Sequence, residues 1–247
     1  MFQFFVRPEQ ITGNKIYIEG QDVNHIKNVL RMKTGEEIAV SNGSDGREYR
    51  CIIAEIGQEQ VICDLCFIRE DAVELPSRVY LFQGLPKGDK MELIIQKAVE
   101  LGVHEIIPME TKRAVVKLDD KKAKSKIARW QGIAEAAAKQ SKRLVIPKVH
   151  EVMKFKEALA YAGELDVRLM PYELATGMKK TREVFESLEK GQSIGILIGP
   201  EGGFDEGEVE AAMAAGITPL TLGKRILRTE TAGFTTLALI MYQLEES

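Results

Sequence analysis

The spacing of apolar and polar positions changes character near residue 72. Before that point the apolar residues come in short β-like runs: FQFFV, KIYIEG, EIAV, YRCIIAEI and QVICDLCFI. One helix interrupts them, with Val23, Ile26, Val29 and Leu30 at helical spacing on one face. The turn-rich SNGSDG holds Asn-Gly and Asp-Gly, both hairpin dipeptides. A small β barrel or sandwich with one helix fits this stretch.

The polar stretch EDAVELPSR marks a boundary, giving domains over 1–72 and 73–247. Beyond it strands and helices alternate. RVYLFQG is a strand, and Asp89 can cap a helix whose apolar face is Met91, Ile94, Ile95, Ala98 and Leu101, stopped by Gly102. HEIIPM is a strand, followed by the long helix DDKKAKSKIARWQGIAEAAAKQSKR, the strand LVIPKV, a short helix around FKEALAYAG and the strand DVRLM. TREVFESLEKG is a helix, SIGILIG a strand apolar enough to be buried on both faces, and Asp205 with Glu208 makes a capping box for the next helix. TPLTLG is a strand, and a last helix runs from about Thr231. This is an α/β domain with a mostly parallel sheet covered by helices on both faces.

Composition adds bounds. The 247 residues are 45% hydrophobic and 29% charged, ordinary for a globular protein, and no apolar run approaches the roughly 20 residues of a membrane span. MFQFFVRPEQ lacks a secretory pattern, and three cysteines make no disulfide framework, so a reducing cytoplasm is expected. The net charge is −3, yet Lys112 to Lys148 holds 12 Lys/Arg against three acids. Such a block fits a polyanion, or equally the solvated face of a helix.

Two segments stand out for chemistry. In GILIGPEGGFDEGEVE a buried strand ends at Gly199 and a helix begins near Asp205, leaving a glycine-rich loop where open α/β sheets bind ligands. It is no phosphate loop, because G-x-G-x-x-G and G-K-[ST] are missing and Glu201 would repel phosphate. A neutral or cationic ligand such as a sulfonium suits it better. In LGKRILRTETAGF a strand ends at Gly223, Thr229 or Thr231 can cap the last helix, and Lys224, Arg225, Arg228 and Glu230 lie close together. Each segment alone reads equally as an ordinary turn; two on one sheet edge point to a site. Pro171, Tyr172 and Glu173 in LMPYELATG could complete a pocket floor. Cys51, Cys63 and Cys66 read as apolar strand residues, and no metal site is expected, since a zinc site needs four ligands. Trp130 reads as a packing anchor.

The chain resembles the bacterial 16S rRNA (uracil-N3) methyltransferases of the SPOUT superfamily. The similarity is carried by NHIKNVLRMKTGE, QKAVELGV, RWQGIAEAAAKQSKR, ILIGPEGGF and LGKRILRTETA. Where the family often has E-Q-S-G-R, this chain has Lys139-Gln140-Ser141-Lys142-Arg143. The resemblance implies an N-terminal PUA-like RNA-binding β-barrel and a C-terminal SPOUT domain whose last segment is threaded into a trefoil knot. It implies S-adenosylmethionine as cofactor, a homodimer, and methylation of N3 of one uridine in the decoding region of the small ribosomal subunit.

On that resemblance, cofactor contacts are expected from Leu169, Pro171, Ile198, Gly199, Glu201, Gly202, Leu222, Gly223 and Leu227, largely through backbone. Arg228 is expected to stabilise a uracil anion and Glu230 is the nearest candidate base. Arg7, Arg31, Lys33 and Arg143 are expected to meet RNA, with the cationic helix. Alternatives are a SPOUT enzyme acting on another rRNA or tRNA site, or a non-catalytic RNA-binding assembly factor; the missing G-x-G-x-x-G disfavours a dinucleotide oxidoreductase.

Overall fold

The computed structural model describes residues 1–70, 73–116 and 118–245. The boundary expected between 72 and 73 falls beside residues 71 and 72, outside the described residues. By internal contacts the chain forms two units, Met1–Glu74 with Ala138–Ile146, and Leu75–Ala137 with Pro147–Ser247.

The first unit is a six-stranded sheet in the order β1 (Gln3–Phe5), β4 (Glu37–Ser41), β5 (Glu48–Ile56), β6 (Gln60–Arg69), β3 (Lys15–Glu19) and β2 (Ile11–Thr12). All its pairings are antiparallel except β1 with β4. One apolar core, including Phe4, Ile16, Ile18, Ile26, Ile38, Val40, Ile53 and Val61, holds it together. The β4–β5 turn is organised by the Asn42 side-chain Oδ1, which accepts from the Ser44 and Asp45 amides, and by Gly43 and Gly46 at positive φ. The expected helix, α1 (Gln21–Asn24), runs directly into a π-helical stretch over His25–Val29, with the Leu30 amide donating to the His25 carbonyl. The extra residue in that turn rotates Val29 to solvent, against the expected apolar face, while Val23 and Ile26 remain buried. Lys142 has φ 59, a left-handed conformation that the family's usual glycine adopts without strain.

The second unit holds β7 (Arg78–Gly84), α2 (Lys90–Glu100), β8 (Glu105–Glu110), most of α3 (Asp120–Gln140), β9 (Lys148–Val149), β10 (Met153–Lys154), α4 (Phe155–Ala162), β11 (Val167–Pro171), α5 (Met178–Glu186), β12 (Ser193–Ile198), α6 (Glu206–Ala214), β13 (Thr218–Leu220) and α7 (Thr229–Leu244). Its sheet runs β10-β8-β7-β12-β11-β13, with β9 also on β8, and every pairing is parallel. Tyr80 and Phe82 pack with Ala158 and Ala162 of α4 and Val209 and Ala212 of α6 on one face. By strand alternation Val79 and Leu81 point to the other face, and both are fully buried. LVIPKV yields only the two-residue β9 and a bridge from Val145 to Gly43: the Ile146 amide bonds the Gly43 carbonyl, and Pro147 has no amide to continue a ladder. Asp89 precedes α2 as expected but makes no side-chain cap bond. Trp130 is buried as an anchor, with the Lys126 ammonium 5.8 Å above its ring.

Because the strands are parallel, their carboxyl ends share one edge. β13 is the edge strand beyond β11, yet α7 begins beside β7 and β12: the Thr229 hydroxyl donates to the Gly199 carbonyl at 2.6 Å and accepts from Gln83 at 2.9 Å. The segment from Thr221 to Arg228 therefore recrosses the carboxyl ends of β11 and β12 to reach the middle of the sheet. That recrossing returns the last helix from the sheet's edge to its centre.

Candidate active site

The recrossing encloses a cleft. Its walls are the end of β11 (Pro171, Tyr172 and Glu173), the loop after β12 (Ile198 to Glu201, with Gly203 and Phe204), the segment Thr221 to Thr229, Ala232 of α7, and Lys90 of α2. The cleft holds about 390 Å³, within the usual span of small-molecule sites, roughly 300–1,000 Å³.

The loop after β12 needs its glycines. A Cβ on Gly199 would stand 3.0–3.2 Å from the backbone of Gly203 and Phe204, and Gly203 has φ 66. The tight turn closes with the Gly203 amide donating to the Pro200 carbonyl at 2.9 Å. The capping box of α6 forms in both directions, the Asp205 carboxylate taking the Gly207 amide and the Glu208 carboxylate taking the Asp205 amide at 2.9 Å. Buried Glu208 also accepts from the Lys112 amide at 2.8 Å, and Lys112 pairs with Asp205 at 2.7 Å, tying the exit of β8 to the same loop.

Of the expected cofactor residues, Pro171, Ile198, Gly199, Glu201, Leu222, Gly223 and Leu227 line the cleft. Leu169 is buried within β11, below the wall formed by Pro171. Gly202 turns away from the cleft: a Cβ there would meet Arg113 at 3.2 Å, and its carbonyl accepts from the Arg113 guanidinium at 3.3 Å. Glu201 is neutralised by Lys90 at 2.8 Å and accepts from the Lys87 amide at 3.0 Å. Burial would raise its pKa, but these contacts outweigh burial and hold it below the ordinary value.

Arg228 lines the cleft with an exposed side chain, in extended conformation just before α7. Thr229 does not cap the helix as expected; its hydroxyl is spent on Gly199. Glu230, in the first turn of α7, is mostly buried and lies behind the wall, with Oε2 lacking any hydrogen bond among the described residues and the Lys90 ammonium 3.9 Å away. Lys90 was invisible to sequence reading, because its acidic partners lie 111 and 140 residues downstream and no local spacing signals them.

The expected RNA contacts divide. Arg31 and Lys33 are exposed, and Arg7 is exposed but paired with Glu9 at 2.7 Å and Glu19 at 3.0 Å. Arg143 is buried: its Nε donates to Glu74 at 3.0 Å, and Glu74 also accepts from the Leu144 and Val145 amides. Its guanidinium thus serves the interior of the first unit. The exposed cations of α3, including Lys121, Lys122, Lys124 and Arg129, form the basic face. Cys66 is exposed, unlike Cys51 and Cys63. Among the described residues, no cluster of three or more His, Cys, Asp or Glu could hold a metal, and no helix is long and apolar enough to cross a membrane.

The family model described as "RNA methyltransferase domain" matches residues 73–241, and "RNA methyltransferase PUA domain" matches residues 18–66. The chain belongs to this RNA methyltransferase family. Ribosomal RNA small subunit methyltransferase E of Bacillus subtilis is 43% identical over 231 residues, covering 92% of this chain and 90% of that one. Its namesake from Mesomycoplasma hyopneumoniae is 34% identical over 234 residues, covering 94% and 95%. Among solved structures, a ribosomal RNA small subunit methyltransferase E from Neisseria gonorrhoeae bound to S-adenosyl methionine superposes with a TM-score of 0.83 at 29% identity, covering 98% of this chain and 97% of that one. This family member carries its two signature segments on the two facing walls of one cleft.

Proposed function

We propose that the protein transfers a methyl group from S-adenosylmethionine to N3 of one specific uridine in 16S rRNA. The observation that carries this reading is the convergence of GPEGGF and RILRTETA on one cleft at the carboxyl edge of a parallel sheet. The cleft fits the cofactor: apolar Ile198, Phe204, Leu222 and Leu227 suit a flat base, close-approaching backbone at Gly199 and Gly223 suits hydrogen bonding, and Glu173 and Glu201 suit a cation.

When bound, S-adenosylmethionine supplies an electrophilic methyl group on a sulfonium. The residues of the chain then have three tasks. They hold the uracil so that N3 lies in line with that methyl. They accept the N3 proton as the N–C bond forms and the S–C bond breaks, for which Glu230, in the first turn of α7, is the nearest candidate base. They stabilise the negative charge on the uracil oxygens, for which the Arg228 guanidinium is exposed at the wall and fixed in charge.

The exposed cations of α3, with Arg7, Arg31 and Lys33, supply phosphate contacts. A homodimer is supported by α2 and α7, which pack together and leave Leu93, Leu239 and Tyr242 exposed. A cytoplasmic site follows from a ribosomal substrate. Mass spectrometry of 16S rRNA from cells with and without the gene tests the function: loss of one N3-methyluridine is expected, and an unchanged 16S rRNA with a changed tRNA or other rRNA would redirect it.

A further inference from the structure

The two signature segments meet at a third residue. Lys90, the first residue of α2, lines the cleft with a side chain about one-third exposed. Its ammonium lies 2.8 Å from Glu201 Oε1, on the loop after β12, and 3.9 Å from Glu230 Oε2, on α7. The first contact is a hydrogen-bonded ion pair, and Glu201 is held from a second side by the Lys87 amide at 3.0 Å. The second contact is too long for a hydrogen bond. Glu230 Oε2 is thus buried with no donor among the described residues, yet it sits beside a cation.

This arrangement is unusual for a structural ion pair. A carboxylate that only supports a fold is bonded on both oxygens, as Glu74 and Glu208 are. Glu230 Oε2 is attracted without being bonded. If Lys90 were removed, Glu201 and Glu230 would share the region as like charges, and both would turn to new partners. Resting on the function proposed above, we infer that Lys90 is a positioning residue that spans the two signature segments and holds Glu201 and Glu230 in register, fixing the loop after β12 against the first turn of α7, which presents Arg228 at the cleft wall.

The test compares Lys90→Met and Lys90→Arg, each alone and combined with Glu230→Gln. Single-turnover methylation of 16S rRNA is measured at saturating S-adenosylmethionine and RNA, and cofactor affinity is measured by calorimetry. Lys90→Met is expected to slow the methyl-transfer step roughly tenfold or more while leaving cofactor Kd within about threefold, and Lys90→Arg to recover most of the rate. In the Glu230→Gln background, Lys90→Met is expected to cost less than about twofold further, because the two act as a unit. Independent, multiplying losses in the two backgrounds overturn the inference, as does a defect confined to cofactor Kd. A parent protein that binds S-adenosylmethionine but leaves 16S rRNA unmethylated overturns the function itself and the inference with it, so the two failures are told apart.

Discussion

At the amino ends of its parallel strands the second unit gives its buried charges partners, whereas at the carboxyl ends, beside paired Lys90 and Lys112, it leaves three cations around a cleft without ion pairs among the described residues. Glu105, at the start of β8, takes the Tyr161 hydroxyl and contacts His150 Nε2, both at 2.6 Å. Burial would raise the Glu105 pKa, but these two partners outweigh it and hold the carboxyl at about 2. Burial and the same carboxylate push the Tyr161 phenol up. Asp166 likewise accepts from the amide and hydroxyl of Ser193 at 2.8 and 2.6 Å. At the other edge Lys224, Arg225 and Arg228 are exposed and have no ion-pair partner among the described residues. Satisfied charges stabilise a fold; charges left without partners around a concave site are available to a ligand.

The sharpest break of this contrast is Arg228→Ala. It should lower the single-turnover methylation rate on the order of 100-fold, the effect of losing one charge-stabilising donor, with the melting temperature unchanged by calorimetry. A parent-like rate would remove Arg228 from the chemistry. Gly199→Ala comes next. Its Cβ would press on the Gly203 and Phe204 backbone at 3.0–3.2 Å, so titration calorimetry should show cofactor affinity weakened by about tenfold, equivalent to about 1.4 kcal/mol. Gly202→Ala, facing Arg113 rather than the cleft, should do less.

At the amino edge the sign reverses: Glu105→Gln should leave activity intact and cost about 1–2 kcal/mol of stability, a melting-point drop of a few degrees. The pH window follows from the depressed carboxyl. Its contribution is present above the ordinary value of 4.5 and is lost as pH falls toward about 2. Acid unfolding followed by circular dichroism should therefore be shallower in that window for Glu105→Gln. The smallest effect is expected from Lys124→Gln on α3, which should reduce the slope of log affinity against log salt for RNA by about 1. An unchanged slope would mean that this face is only solvated.

Much of this was readable from the residues in order. The apolar run of RVYLFQG, the doubly buried SIGILIG and the Asp205–Glu208 capping box are local signals, and each formed its element. Local signals also failed in particular places. Val29 was misplaced because a π turn changes the angular step, which no apolar spacing reports. Asp89 stands at the N-cap of α2 but makes no cap bond, while Thr229 lies one residue inside α7, whose N-cap is Arg228, and its hydroxyl bonds Gly199. Arg143 looks like any cation in a basic run until Glu74, 69 residues earlier, closes on it. The site was legible where its residues are contiguous and illegible where it depends on partners brought together by the fold, as with Lys90.

The recrossing of Thr221 to Arg228 has a consequence for synthesis. The cleft has no second wall until that segment has been made and Thr229 has reached Gly199. Every earlier strand of the sheet can emerge and pair, at some 5–20 residues per second, without creating a binding site. A nascent chain still held in the exit tunnel at residue 220 has its glycine loop but nowhere to hold a cofactor. The capacity to hold a cofactor therefore arises only after most of this sheet can have formed.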